Sequence, residues 1–440
     1  MKPTGLLIAV ALLAVIGGGI WWSNKKQAAT PAKSPTDASS KLLTIPVDQF
    51  QEIRIKKLIG ETQDFKLVDG KWRIVEPKPL AADQDTVTSM VSSLSALTAD
   101  KTIEDNATDL KQYGLDDPTL DIAITEKDGK TAGVLVGDAT PTNSGNYAKL
   151  PGSSRVYTIA SFVKTGLDKT VNDLRDKRLL TFDPDKITRV ELAAKGAPIE
   201  FGKNAQNEWE ILKPRPLRAD GTQVDSLVSK LKDTKMDALI SDEDAKKAAA
   251  AFASGAKVAV VAVSDSSGDQ TLEVRKDKDK NYYAKSSVVE GIYKIPSDTG
   301  DALDKGLDDF RNKKLFDFGF SDPTKIELKG ATYSKSGDKW MSGAKTMDNA
   351  SVQSLIDKLR DLTAAKFADT GGGDPVFEAA VTSNEGKKVE KVTIRKQGTD
   401  YFAQREGEPS IYVLDAKPVE DLQAAAAAIK EAAPEPAKKK

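Results

Sequence analysis

LAADQDTVTSMVSSL, residues Leu80–Leu94, is written three times in this chain: it returns as LRADGTQVDSLVSKL (Leu217–Leu231) and, more distantly, as TMDNASVQSLIDKL (Thr346–Leu359). In each copy an aspartate (Asp83, Asp220, Asp348) stands where a helix N-cap belongs, its carboxylate placed to accept a first-turn N–H. Apolar residues follow at one spacing: Val87, Met90, Val91, Leu94; Val224, Leu227, Val228, Leu231; Val352, Leu355, Ile356, Leu359. That i, i+3, i+4, i+7 pattern is the buried stripe of an amphipathic helix. Three such helices predict three similar domains.

Around each helix the landmarks recur in one order. Lys41-Leu42-Leu43, Arg178-Leu179-Leu180 and Lys314-Leu315-Phe316 open the units. Alternating stretches, Gln51–Ile55, Thr188–Leu192 and Lys325–Leu328, read as strands. Trp72, Trp209 and Trp340 come next, each expected to end a short hairpin and pack on its own domain's helix. The first two units share a Pro-x-Pro-Leu lead-in, Pro77–Leu80 and Pro214–Leu217, which the third has lost. Behind the helix, Tyr147-Ala148-Lys149, Tyr283-Ala284-Lys285 and Phe402-Ala403-Gln404 precede Tyr157, Tyr293 and Tyr412, and read as part of a small antiparallel meander. A closing helix is expected over Ser161–Lys177, Asp298–Lys313 and Pro418–Ala433. The predicted class is α+β: three tandem repeats, each a mixed helix plus antiparallel-sheet unit, over residues 41–177, 178–313 and 314–433, with a charged tail at 434–440.

Composition excludes much chemistry. Among 440 residues there is no histidine and no cysteine, so no Cys or His metal site, Ser-His-Asp triad, Cys-His pair or disulfide is available. Lys plus Arg number 65 against 66 Asp plus Glu, which gives no general basic field for nucleic acid. No cofactor motif is present: Gly371-Gly372-Gly373 lacks the Lys-Ser/Thr and the βαβ context of a phosphate cradle.

Gly5–Trp22, GLLIAVALLAVIGGGIWW, carries no charge over 18 residues. As a helix it would rise about 27 Å, close to the ~30 Å hydrocarbon core. Lys2 precedes it, Trp21 and Trp22 suit an interfacial belt, and Lys25 and Lys26 follow. The reading is one N-terminal transmembrane helix within residues 1–26, with Leu6, Leu7 and Ile8 in the bilayer. A cleaved signal peptide is the rival, but no small-x-small site directly follows the apolar run. Residues 27–40, rich in Ala, Pro, Ser and Thr, read as a flexible linker. The expected location is the inner membrane, single-pass, with the bulk of the chain extracytoplasmic, since long C-terminal domains translocate largely regardless of flanking charge.

Trp72–Asp83 with its W-x-I-x-x-P-x-P-L-x-A-D pattern, the loop Tyr113-Gly114-Leu115-Asp116-Asp117-Pro118, the Asn146-Tyr147-Ala148-Lys149…Val156-Tyr157 pair and the Leu174-Arg175-Asp176-Lys177 end resemble a bacterial membrane-associated family, domain of unknown function 4340. The resemblance covers nearly everything past the linker and supplies no catalytic residues. It implies an N-terminal anchor, repeated units, and an accessory role beside ABC-type export systems of the gliding-motility auxiliary kind. This chain departs from the pattern at Phe252–Ala256, where FASGA replaces the motif loop, and in the third unit, where only Gly373-Asp374-Pro375 survives.

Two groups of residues are candidates. In the motif loop (Tyr113, Gly114, Asp116, Asp117) the two carboxylates are the best acid/base pair available, but the favoured reading is a turn that Asp caps and Pro118 makes extended. At the unit boundaries stand Arg175, Asp176 and Arg178, then Arg311 and Lys313; the cations among them are expected to complement the C-terminal end of the closing helix, or the group to fix neighbouring domains or contact a partner. The function these features favour is a non-enzymatic, membrane-anchored accessory or scaffold protein of the cell envelope, with membrane and envelope or transporter proteins as partners. The alternative is an extracytoplasmic module binding a glycan or exported substrate, which requires an aromatic-lined pocket. A carboxylate-only hydrolase is a third class.

Overall fold

The computed structural model describes residues 40–237, 242–318 and 323–433. The anchor segment with Leu6, Leu7, Ile8, Trp21 and Trp22, nearly all of the linker and the charged tail lie outside them. Among the described residues, no helix is long and apolar enough to cross a membrane. The described chain is mixed α+β, with three antiparallel sheets and eight α-helices. It divides into two compact units, one ending at Lys177 and the other beginning at Arg178. The first sheet lies in the first unit; the second and third sheets share the second.

Alternation builds the first sheet. Ile53 and Ile55, Phe65, Ile74, Ile122 and Ile124 are fully buried on one face, while intervening residues such as Arg54, Lys56 and Arg73 stay exposed. The strand order is Leu80–Ala81, Lys71–Glu76, Gln63–Val68, Phe50–Lys57, Leu120–Glu126, Thr131–Ala139, Gly145–Lys149, Val156–Ala160 and Lys101–Glu104. Front and back strands of the unit therefore join in one sheet, through Phe50–Lys57 and Leu120–Glu126. The helix Gln84–Ser95 packs its stripe, Val87, Met90, Val91 and Leu94, into the same core as those strands. Each such side chain removed from water contributes about 1.5–3 kcal/mol.

The second and third sheets keep this order. The second runs Leu217–Arg218, Trp209–Lys213, Ile199–Lys203, Arg189–Ala193, Ala256–Asp265, Gly268–Lys276, Tyr282–Ser286, Ile292–Ile295. The third runs Lys345–Met347, Lys339–Ser342, Ala331–Ser336, Lys325–Leu328, Asp374–Ser383, Lys388–Gln397, Asp400–Arg405, Ile411–Leu414, Lys366–Ala368. Their helices, Gly221–Asp233 and Asn349–Asp361, bury the anticipated stripes. Asp83, Asp220 and Asp348 cap as the sequence predicts, accepting the N–H of Thr86 at 2.9 Å, Gln223 at 3.2 Å and Ser351 at 2.9 Å.

Each tryptophan lies at the start of the second hairpin strand rather than at its end, and is tied to its helix. Gln84 clasps the Trp72 backbone on both sides, Asp225 accepts the Trp209 indole N–H at 2.7 Å, and Asn349 accepts the Trp340 amide at 3.3 Å. The second sheet lacks the last edge strand seen in the other two. In its place the Ala-rich helix Asp242–Ser254 packs on the last two strands, burying Ala248 and Phe252. FASGA is the end of this helix, which is why the motif loop is missing there.

The closing helices require a correction. Periodicity predicts continuous helices over Ser161–Lys177 and Asp298–Lys313. The structure instead has Ser161–Leu167 followed by Val171–Leu174, and Ser297–Leu303 followed by a 3₁₀ turn, Leu307–Asp309. Thr170 starts the second segment with its own capping box to Asp173. The third closing helix, Ala416–Ala427, is unbroken but begins and ends earlier than Pro418–Ala433.

Candidate functional site

After the breaks, the chain at the unit ends is extended and not helical. Arg175, at φ −79° and ψ 146°, bridges to Ala82, with the Asp83 N–H on the Leu174 carbonyl and the Asp176 N–H on the Ala81 carbonyl. Phe310–Asn312 repeats this against Arg218–Asp220, and Lys430–Ala432 repeats it against Thr346–Asp348. Arg175, Asp176, Arg311 and Lys313 are therefore not placed to complement a helix C-terminus. The opening segments are stitched as well: Arg178 bridges to Lys235 and Lys314 to Thr363. Between the second and third sheets the Asn312 N–H reaches the Arg218 carbonyl and the Lys313 carbonyl accepts the Ala364 N–H.

This second-to-third joint is ion-paired. Arg311 from the second sheet's closing segment is buried, its guanidinium 3.4 Å over the Phe367 ring and bonded to the Ser410 hydroxyl at 2.9 Å. Arg218 donates twice to the Lys314 carbonyl at 3.1 Å and lies 3.6 Å from both Asp317 and Glu408. Arg405 is the centre of the third sheet's share: it donates to the Leu315 carbonyl, to buried Glu390 at 3.0 Å and to Glu408 at 2.7 Å. Burial alone would lower the Arg405 guanidinium, but Glu408 and Glu390 more than offset it and hold it above its ordinary value. Burial also pushes the Tyr412 hydroxyl, a donor to Glu408 at 2.8 Å, up to about 12. At the start of the second sheet, the positions matching Asp317, Glu390 and Arg405 are neutral. There the Thr181 N–H meets Gln270 at 2.8 Å, and the Ser286 hydroxyl bonds the Leu179 carbonyl.

Beside the joint a cleft of about 880 Å³ opens, with Lys203, Trp209, Asp225, Lys313, Lys388 and Arg405 among its lining residues. Lys203 sits 5.0 Å over the Trp209 ring and Asp225 takes its indole N–H, so the cleft offers no aromatic platform for a sugar. A smaller groove of about 350 Å³ on the third sheet is lined by Leu328, Tyr333, Val376 and Phe377.

In the first unit the motif loop is a packing device. Tyr113 meets Tyr147 edge-on at 4.9 Å and donates to Glu104 at 2.9 Å, and Gly114 turns left-handed at φ 62° against Asp138. The Leu115 N–H closes the turn on the Leu110 carbonyl, and the Thr119 hydroxyl bonds the Val136 carbonyl at 2.9 Å. Asp116 and Asp117 are exposed and make no hydrogen bond or ion pair among the described residues, so neither caps the turn.

A second carboxylate pair was not visible in sequence because strand register creates it. Asp64 faces Arg54 across the first hairpin, while Glu52, two residues along that strand and so on the same face, faces Lys66. Asp64 is only 4% exposed, and its Oδ1 has no partner. Burial first, then the charge of Glu52, raises its carboxyl above the ordinary value of 3.8. Neither cleft reaches this pair. With a raised folded value, the stabilising protonated form is present below that ordinary value and is lost as pH rises through the folded one. Asp64→Asn is therefore expected to stabilise the protein by about 1 kcal/mol at pH 7, with the gain vanishing in acid; urea titrations at neutral and acid pH check it, and equal gains at both would refute it.

Stitched sheets of one recurring order define a tandem-repeat α+β protein. The domain of unknown function (DUF4340) family matches residues 72–251 and 209–385, and the chain belongs to that family. Each match begins at a tryptophan, Trp72 or Trp209, and runs on into the following repeat. No curated protein and no solved structure matches the chain.

Proposed function

We propose that the chain is a non-enzymatic, membrane-anchored scaffold of the bacterial cell envelope, three tandem repeats behind one N-terminal transmembrane helix, serving an ABC-type transport complex. The observation that carries this reading is the joint between the second and third sheets, where Asn312 and Lys313 are paired and two arginines, Arg218 and Arg311, reach across to the third repeat. Such a joint keeps partner-binding faces in register, whereas a hinged ligand-binding module needs freedom there. The apolar stretch Gly5–Trp22 supports the anchor, and the family resemblance supports the link to transport. In-cell crosslinking of the tagged full-length protein, followed by membrane extraction and mass spectrometry, is expected to recover transporter or other envelope subunits in fixed proportion. A protein that emerges alone despite efficient crosslinking would overturn the scaffold. The second reading, an extracytoplasmic ligand-binding module, is favoured by the groove at Tyr333 and Phe377, and predicts saturable binding that Phe377→Ala abolishes.

A further inference from the structure

The hairpin joining Phe50–Lys57 to Gln63–Val68 ends in an apolar tip. Ile59 is 89% exposed and Leu58 48%. The corresponding turns of the other two sheets carry Lys195-Gly196 and Lys329-Gly330, ordinary polar turns with glycine at positive φ. An isoleucine this bare contributes nothing to its own core, so folding does not explain the difference. The base of the tip is fixed. Lys57 donates to Asp168 and to the Lys169 carbonyl, both at 2.8 Å, and Gln63 pins the other strand to the same carbonyl at 2.8 Å.

The tip also adjoins the motif loop. The Leu58 N–H donates to the Thr119 carbonyl at 3.2 Å, and Thr119 follows Asp116-Asp117-Pro118 directly. Two carboxylates without internal partners and two exposed apolar side chains are thus presented together on fixed backbone. Both features belong to the first sheet alone, since the second lacks the loop and the third keeps only Gly373-Asp374-Pro375.

We propose that this surface, Leu58 and Ile59 with Asp116 and Asp117, docks a protein segment that carries lysine or arginine beside an apolar residue. Charge selects among occupants. Anionic lipid headgroups would face Asp116, Asp117 and Glu61, which disfavours a membrane, whereas a basic-apolar segment satisfies both halves of the surface. The proposal rests on the scaffold reading and locates one partner contact of that scaffold.

The test places a benzophenone photocrosslinking residue at Ile59 of the full-length protein in cells, with the same residue at Lys329 as the control. The expected result is one protein adduct specific to position 59, whose crosslinked peptide contains Lys or Arg next to the attached apolar position. That adduct should fall about tenfold when Asp116→Asn and Asp117→Asn are added, with thermal unfolding unchanged. An adduct insensitive to the two aspartates, one to lipid, or one to a second copy of this chain would overturn the proposal. Envelope proteins that co-purify while position 59 gives no adduct would overturn this surface and leave the scaffold standing.

Discussion

Arg405→Met should destabilise the unit that holds the second and third sheets by about 3–5 kcal/mol, because it strands a buried carboxylate. The Glu390 side chain is 2% exposed, and Arg405 is its closest cationic partner, with Lys388 farther off at 3.6 Å. The same substitution frees the Leu315 carbonyl and one of the contacts of Glu408, whose other cation is Arg218. In a unit of this size the loss corresponds to a fall in melting temperature on the order of 10 °C. Arg405→Met with Glu390→Gln should recover most of it: the glutamine still accepts the Asp317 amide, now at 3.0 Å, and no unpaired charge remains. Calorimetry of the full chain and both variants decides the matter. Equal melting temperatures for the single and double variants would mean that the cost lies in lost packing and not in the stranded charge.

What sequence makes legible here is what lies within one helix or one strand. The stripe Val87, Met90, Val91, Leu94 and the cap at Asp83 follow from spacing alone, and the structure places them as expected. The joint was only partly legible. Arg311 stood out as a cation at a boundary, but its partner Ser410 is 99 residues away, and Asp317 and Glu390 are 73 apart. No local pattern links such pairs. Periodicity also ran too far at the unit ends. Ser161–Lys177 has helical spacing, yet Thr170 and Asp173 form a capping box inside it, and pairing of Arg175 with Ala82 draws the last residues out straight. A side-chain capping signal competing with a hydrophobic period was the available warning.

Gly137→Ala is expected to cost the first unit about 3 kcal/mol, while Asp116→Asn and Asp117→Asn together stay within about 0.5 kcal/mol of the parent. The contrast follows from what each residue touches. A Cβ at Gly137 would lie 2.2 Å from the Tyr113 carbonyl oxygen, a backbone atom held by the 3₁₀ turn Lys111–Tyr113, so the motif loop itself would have to move. That movement would strain the Tyr113–Tyr147 contact and the hydroxyl bond to Glu104 together. The two aspartates are exposed and make no hydrogen bond or ion pair among the described residues, so removing their charge removes no polar contact. Denaturant midpoints of the three proteins give the comparison. A mild Gly137→Ala would refute the packing role of the loop, and a costly aspartate pair would return those carboxylates to the fold. With the aspartates neutral to stability, any loss of cellular function on replacing them must come from what they face outside the chain.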